Sequence, residues 1–163
     1  MKLDKAVGLV REAEEGLAKT LATLGGRHAT EHDVYHMSHA LAERCREHLA
    51  KLTPFAEDLG ASLPDSEAGT SPGGAADTLR RMASTVLGRS EATGMMLVID
   101  LRDAYLMAQR AEISWVILLQ AAKAARQANL EQVATSCREE AEGTAKWLRT
   151  HLKTSSPQVF ATD

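Results

Sequence analysis

The chain has 163 residues, 44% of them hydrophobic and 25% charged, with a net charge of −3 and only two cysteines. That length makes one domain, residues 1–163, with a sizeable core, while the charge balance gives no footprint for nucleic acid or an anionic membrane and two cysteines make no secreted disulfide framework. No apolar run approaches the ~18 residues of a membrane span, and the opening MKLDKAVGLVREAEEG is acidic and amphipathic where a signal peptide would be apolar, so a cytoplasmic location is expected.

Ala, Leu, Glu, Arg and Met abound, and there are four prolines and 4% aromatic residues. An all-α fold is expected. From residue 2 to 24, Leu3, Ala6, Val10, Ala13, Leu17 and Leu24 form a helical stripe. Gly25-Gly26 is expected to end it. A second helix is predicted over 30–59, with a seam of Val34, Met37, Leu41, Cys45, His48, Leu52 and Phe55. Pro54 is expected to kink its last turns, and Gly60 to stop it. The Gly-, Ser- and Pro-rich stretch GASLPDSEAGTSPGGA reads as part of a long crossover, 60–89, with a short extra helix at 76–87.

A third helix is predicted over 90–127, its seam Val98, Leu101, Tyr105, Ala108, Glu112, Trp115, Leu119 and Ala122. It is apolar on its other faces too and should be the most buried element. The stretch RQANLEQ is expected to turn the chain, with Asn129 capping a fourth helix. That helix carries Leu130, Val133, Cys137, Glu140 or Ala141, Thr144, Leu148 and His151, and Pro157 lies beyond its expected end at 154. Two helical hairpins, 2–59 and 90–154, thus make a four-helix bundle with one crossover.

The hairpins share a phrase. Cys45-Arg46-Glu47-His48 and Cys137-Arg138-Glu139-Glu140 contain the only two cysteines, 137 − 45 = 92 residues apart. AEEGLAKTLATL from Ala13 also aligns with AEISWVILLQAA from Ala111. This suggests a duplicated hairpin. Charged residues on or near the seams need partners, protonation or a metal. They are Glu112 and Glu140, together with His48 and with Glu14, the last about 60° off its stripe.

This pattern resembles the ferritin-like superfamily, which includes rubrerythrins and bacterioferritins. There, one Glu from each of two helices and a Glu-x-x-His from each of the other two hold a pair of metal ions. The resemblance covers nearly the whole chain as architecture. Glu14 and Glu112 match the single glutamates. Cys45-x-x-His48 and Cys137-x-x-Glu140 stand where the Glu-x-x-His pairs belong, so cysteines replace both bridging carboxylates. An oxygen-activating iron pair needs hard, bridging carboxylates, whereas thiolates suit softer ions. Ferroxidase activity is therefore not expected. The chain is expected to be a non-enzymatic structural or interaction module and a homodimer. The alternative is a metal-binding ferritin-like protein, with Zn or Fe held in the bundle centre by Glu14, Cys45, His48, Glu112, Cys137 and Glu140; if it were an enzyme, it would be a metal-dependent oxidoreductase of that superfamily. A third reading leaves the same residues as a buried polar network.

Four histidines, His28, His32, His36 and His39, lie within twelve positions. His32 and His36 have the i, i+4 spacing of a metal pair, and His39 extends the row. Their mean direction is opposite the second seam. A solvated histidine face or a secondary surface metal site at His32, His36 and His39 is expected.

Overall fold

The computed structural model describes residues 2–60 and 89–161. The interior of the expected crossover and the short helix at 76–87 lie outside the described residues. These form four helices: α1 (Leu3–Arg27), α2 (His32–Asp58), α3 (Arg89–Ala124) and α4 (Ala128–Phe160). Among them there is no strand, and no helix is long and apolar enough to cross a membrane.

Each helix buries a row spaced alternately by four and three residues. In α1 it is Leu3, Val7, Val10, Glu14, Leu17, Leu21 and Leu24; in α2, Val34, Ser38, Leu41, Cys45, His48 and Leu52. In α3 it is Leu97, Leu101, Ala104, Ala108, Ala111, Trp115, Leu118 and Ala122; in α4, Leu130, Ala134, Cys137, Ala141, Thr144 and Leu148. This seven-residue repeat keeps one seam facing the partner helices and is the signature of near-parallel bundle packing.

Contacts fix the helix directions. Gly25 abuts Ser38 and His39 while Glu14 meets His48, so α1 and α2 are antiparallel. Arg27 pairs with Asp100 while Glu14 meets Trp115, so α1 and α3 are antiparallel as well. Gly94 abuts Val159 across the α3–α4 hairpin. It follows that α2 and α3 run in the same direction. The helix α1 packs on α2 and α3, α3 packs on α4, and α2 touches α4 only briefly.

Four local expectations are corrected. The Gly25-Gly26 pair does not end α1, which continues to Arg27. A Cβ on Gly25 would lie 3.0–3.2 Å from His39 and Ser38, so this glycine admits the close approach of α2 rather than a turn. Asn129 is not the cap of α4; Gln127 holds that position without a side-chain hydrogen bond. Pro157 lies inside α4, not beyond it. It is exposed, so the carbonyl deprived of an N–H partner faces water, while Val159 continues the packing face against Gly94. Lastly, α3 ends at Ala124, three residues short of the expected 127. Arg126 takes a left-handed φ of 56°, and Gln127 N–H bonds the Ala122 carbonyl while Arg126 N–H bonds that of Lys123. This is a Schellman turn, which hands the chain directly to α4. Gly60, with φ of 58°, plays the matching role after α2.

Candidate functional site

The core has two apolar clusters. One gathers Leu17, Leu21, Leu24, Val34, Leu41, Leu101 and Leu148. The other gathers Leu3, Val7, Val10, Leu52, Trp115, Leu118 and Leu130. Between them lies a polar layer. Its central members, Glu14 and His48, are each 1% exposed.

Glu14 enters from α1. Its Oε1 accepts a hydrogen bond from Trp115 Nε1 at 2.5 Å and lies 2.8 Å from His48 Nδ1. The Cys45 thiol is buried close enough to feel the charge of this carboxylate. An indole N–H can only donate, so Glu14 is the acceptor of the layer. The other ring nitrogen, His48 Nε2, lies 3.1 Å from Glu140 Oε2 on α4. The imidazole also stands edge-on to the Trp115 ring, with centroids 5.7 Å apart.

Glu140 is the layer's outlet to solvent, with its side chain 35% exposed. Lys51 Nζ lies 3.6 Å from its Oε1, and Ser136 Oγ donates to the same oxygen at 3.5 Å. Partial burial pushes the Glu140 carboxyl up, but the His48 hydrogen bond and charge, helped by Lys51 and Arg44, outweigh this and hold it below the ordinary carboxylate range. With a carboxylate at each end, the doubly protonated imidazolium is the form of His48 that donates to both. Two carboxylates, one imidazolium and Lys51 then balance in charge, which is what burial of ions demands.

Both cysteines are buried and free. Burial pushes the Cys45 thiol far up, and the Glu14 charge pushes the same way. Burial likewise pushes Cys137 up to about 12, against a lowering by Lys51 and with further raising by Glu140 and Glu14. Both are therefore thiols at neutral pH, and a metal ion would have to displace their protons to bind them.

Of the six residues expected at the centre, Glu14, His48 and Glu140 are linked side chain to side chain, and Cys45 is buried beside them. Cys137 is buried on the α4 seam and feels the Glu14 and Glu140 charges. Glu112 is half-buried, one position beyond Ala111 on the seam, and no hydrogen bond joins it to Glu14, His48 or Glu140. Trp115, which cannot ligate a metal, makes the α3 contact with Glu14 instead. Among the described residues, no group of three or more His, Cys, Asp or Glu is disposed to hold a metal ion. The donor set does not fit a carboxylate-bridged metal pair: the bridging positions hold thiols, and both imidazole nitrogens face carboxylates.

The histidine row is divided. His32, His36 and His39 are exposed. His28 is not: it is 3% exposed, and its Nε2 lies 2.8 Å from Oδ2 of Asp100, itself 4% exposed. Arg27 adds a contact of 3.6 Å to Asp100 Oδ1. This pair ties the α1–α2 turn to α3 and was not anticipated from sequence. The available signal was the aspartate in the apolar run MMLVIDL, since a charge on a buried helix needs a partner.

No protein-family model, curated protein or solved structure matches the chain.

Proposed function

We propose that the chain is a ferritin-like bundle without ferroxidase activity, acting as a structural or interaction module that associates as a homodimer. In this reading the chain between Gly60 and Arg89 is the crossover of that fold. One observation carries the reading: the polar groups at the bundle centre are consumed by one another. His48 spends both ring nitrogens on Glu14 and Glu140, Glu14 accepts from Trp115, and Lys51 neutralises the outer carboxylate. Groups paired in this way hold a core together and leave no open coordination position.

The outer face of α3 supports the interaction part. Leu106, Ile113 and Ile117 are 57%, 53% and 45% exposed, and Leu9 on the adjoining α1 is 46% exposed. Residues 106, 113 and 117 fall within about 40° on the helix. An exposed apolar row of this kind, interrupted only by the Arg110–Glu12 ion pair, is what an intermolecular helix contact buries. Size-exclusion chromatography with light scattering tests the reading. A dimer is expected, and Ile113→Glu should convert it to a monomer of unchanged helicity. A wild-type protein that stays monomeric at high concentration counts against self-association.

A second reading, a metal-binding ferritin-like protein, is favoured by the convergence of Cys45, Glu14, His48 and Glu140 on one layer. Metal analysis of untagged protein after exposure to Fe(II) or Zn(II) separates the two. Retention that is abolished by His48→Gln would establish the second reading and displace the first.

A further inference from the structure

At the start of α2 the exposed histidines do not behave alike. His39 is committed: its Nδ1–H donates to the Tyr35 carbonyl at 2.8 Å, and its ring lies over Gly25, where a Cβ would come within 3.0 Å of it. Tyr35 tilts against the same ring, with centroids 4.5 Å apart. His32 and His36 stand together one turn apart, with nearly parallel rings at 15° and centroids 6.5 Å apart. Both are exposed.

We propose that His32 and His36 form a two-imidazole chelate for a divalent late-transition ion, of the class of Zn(II), Ni(II) or Cu(II), with water completing the coordination. The chemistry follows from the helix. Side chains at i and i+4 share a face, imidazole suits these ions, and a ring nitrogen binds zinc at about 2.0–2.1 Å. An ion held by both rings draws them closer than 6.5 Å, which exposed side chains achieve by rotation about their own χ angles. The second imidazole is then delivered intramolecularly, at the high effective concentration that a short tether gives. His32 is the first residue of α2, where the helix dipole disfavours a cation. The carboxylates of Glu31 and Asp33, on either side of it in sequence, offset that.

The test is titration calorimetry of the untagged full chain with Zn(II), on the wild type and on His32→Ala, His36→Ala, His39→Ala and His48→Gln. One ion per chain is expected. Loss of either chelating ring should weaken binding by about tenfold or more, whereas His39→Ala and His48→Gln should stay within about twofold of wild type. All the substituted side chains except that of His48 are exposed, and circular dichroism verifies the fold of each variant. The proposal is overturned if wild type takes up no Zn(II), if His32→Ala or His36→Ala binds like wild type, or if His39→Ala is as damaging as either. Binding abolished by His48→Gln alone would place the ion in the bundle centre, overturning both this chelate and the proposed metal-free core. Failure at His32 and His36 with no central binding leaves the reading of the core intact.

Discussion

Glu14 gathers donors from two other helices: Trp115 on α3 and His48 on α2. Removing the imidazole would leave a fully buried carboxylate without its cation, and uncompensated buried charges are among the costliest defects a core can carry. His48→Ala is expected to destabilise the fold by on the order of 3 kcal/mol, read as a lowered midpoint in urea. Trp115→Phe removes only one N–H donor and should cost less, about 1–2 kcal/mol. The Glu140 carboxyl is held low in the fold, so its stabilisation is in place above the ordinary carboxylate value of about 4.3. It is lost as the pH falls through the lowered value. Acid titration of stability should therefore be flatter for Glu140→Gln than for wild type. If the two curves superimpose, the His48–Glu140 pair contributes nothing. The thiols have the opposite sense. With both raised in the fold, their contribution is complete below the ordinary thiol value of about 8.5 and is lost as the pH rises past it towards the folded values. Neither thiol should react with Ellman's reagent at pH 8 until the protein unfolds, whereas both should react at once in guanidinium. A rapidly reacting thiol in the native protein would contradict the burial described.

At the scale of the helix, the heptad seams explain what was legible in the sequence and what was not. In α3 the expected and observed seams share the row Leu101, Ala108, Trp115 and Ala122. They differ in the companion row, expected at Val98, Tyr105, Glu112 and Leu119 but found at Leu97, Ala104, Ala111 and Leu118, with Leu119 buried as well. Val98 and Tyr105 are as apolar as the residues that won, so the pattern carried no contrast between the two flanks of the shared row. Glu112 was thereby drawn onto the seam. The reverse happened in α1, where Ala6 and Ala13 masked the row of Val7, Glu14 and Leu21, and Glu14 proved central rather than marginal. The four long helices, the Gly60 stop and the approach of His48 to Glu140 were readable because polar and apolar residues alternate clearly in α2 and α4. Helix ends governed by backbone geometry were not readable. The Schellman turn at Arg126 uses a residue type that seldom adopts positive φ, so no glycine marked it. Relieving that strain gives an element-scale prediction. Arg126→Gly should raise stability by about 0.5–1 kcal/mol, less than the full left-handed penalty because glycine also loosens the unfolded chain. A fall in melting temperature would show that the Arg126 side chain contributes more than its backbone costs.

At the scale of the whole molecule, α1 pairs with α2 and α3, α3 pairs with α4, and the α2–α4 contact is slight. The His48–Glu140 and Lys51–Glu140 pairs bridge that contact and join the two hairpins where apolar packing is thinnest. The His28–Asp100 pair makes a second polar tie between hairpins, from the α1–α2 turn to α3.

The polar layer between the two apolar clusters has a consequence for uniqueness. Seams of repeating Leu, Val and Ala are nearly self-similar when one helix slides past another by a heptad, about 10 Å of rise, and an apolar bundle tolerates several such alignments at similar energy. Here a slide of that size would set the Glu14 carboxylate against leucine and leave the Trp115 N–H and the His48 ring without acceptors. Only one alignment satisfies every buried charge, so the layer acts as an indexing pin for four otherwise interchangeable ridges. Replacing Glu14 and His48 together by leucine should keep the helices without lowering the melting temperature. It should also broaden the side-chain NMR signals as alternative alignments become populated. Sharp, singly populated spectra from that double variant would show that the indexing resides in the apolar packing instead.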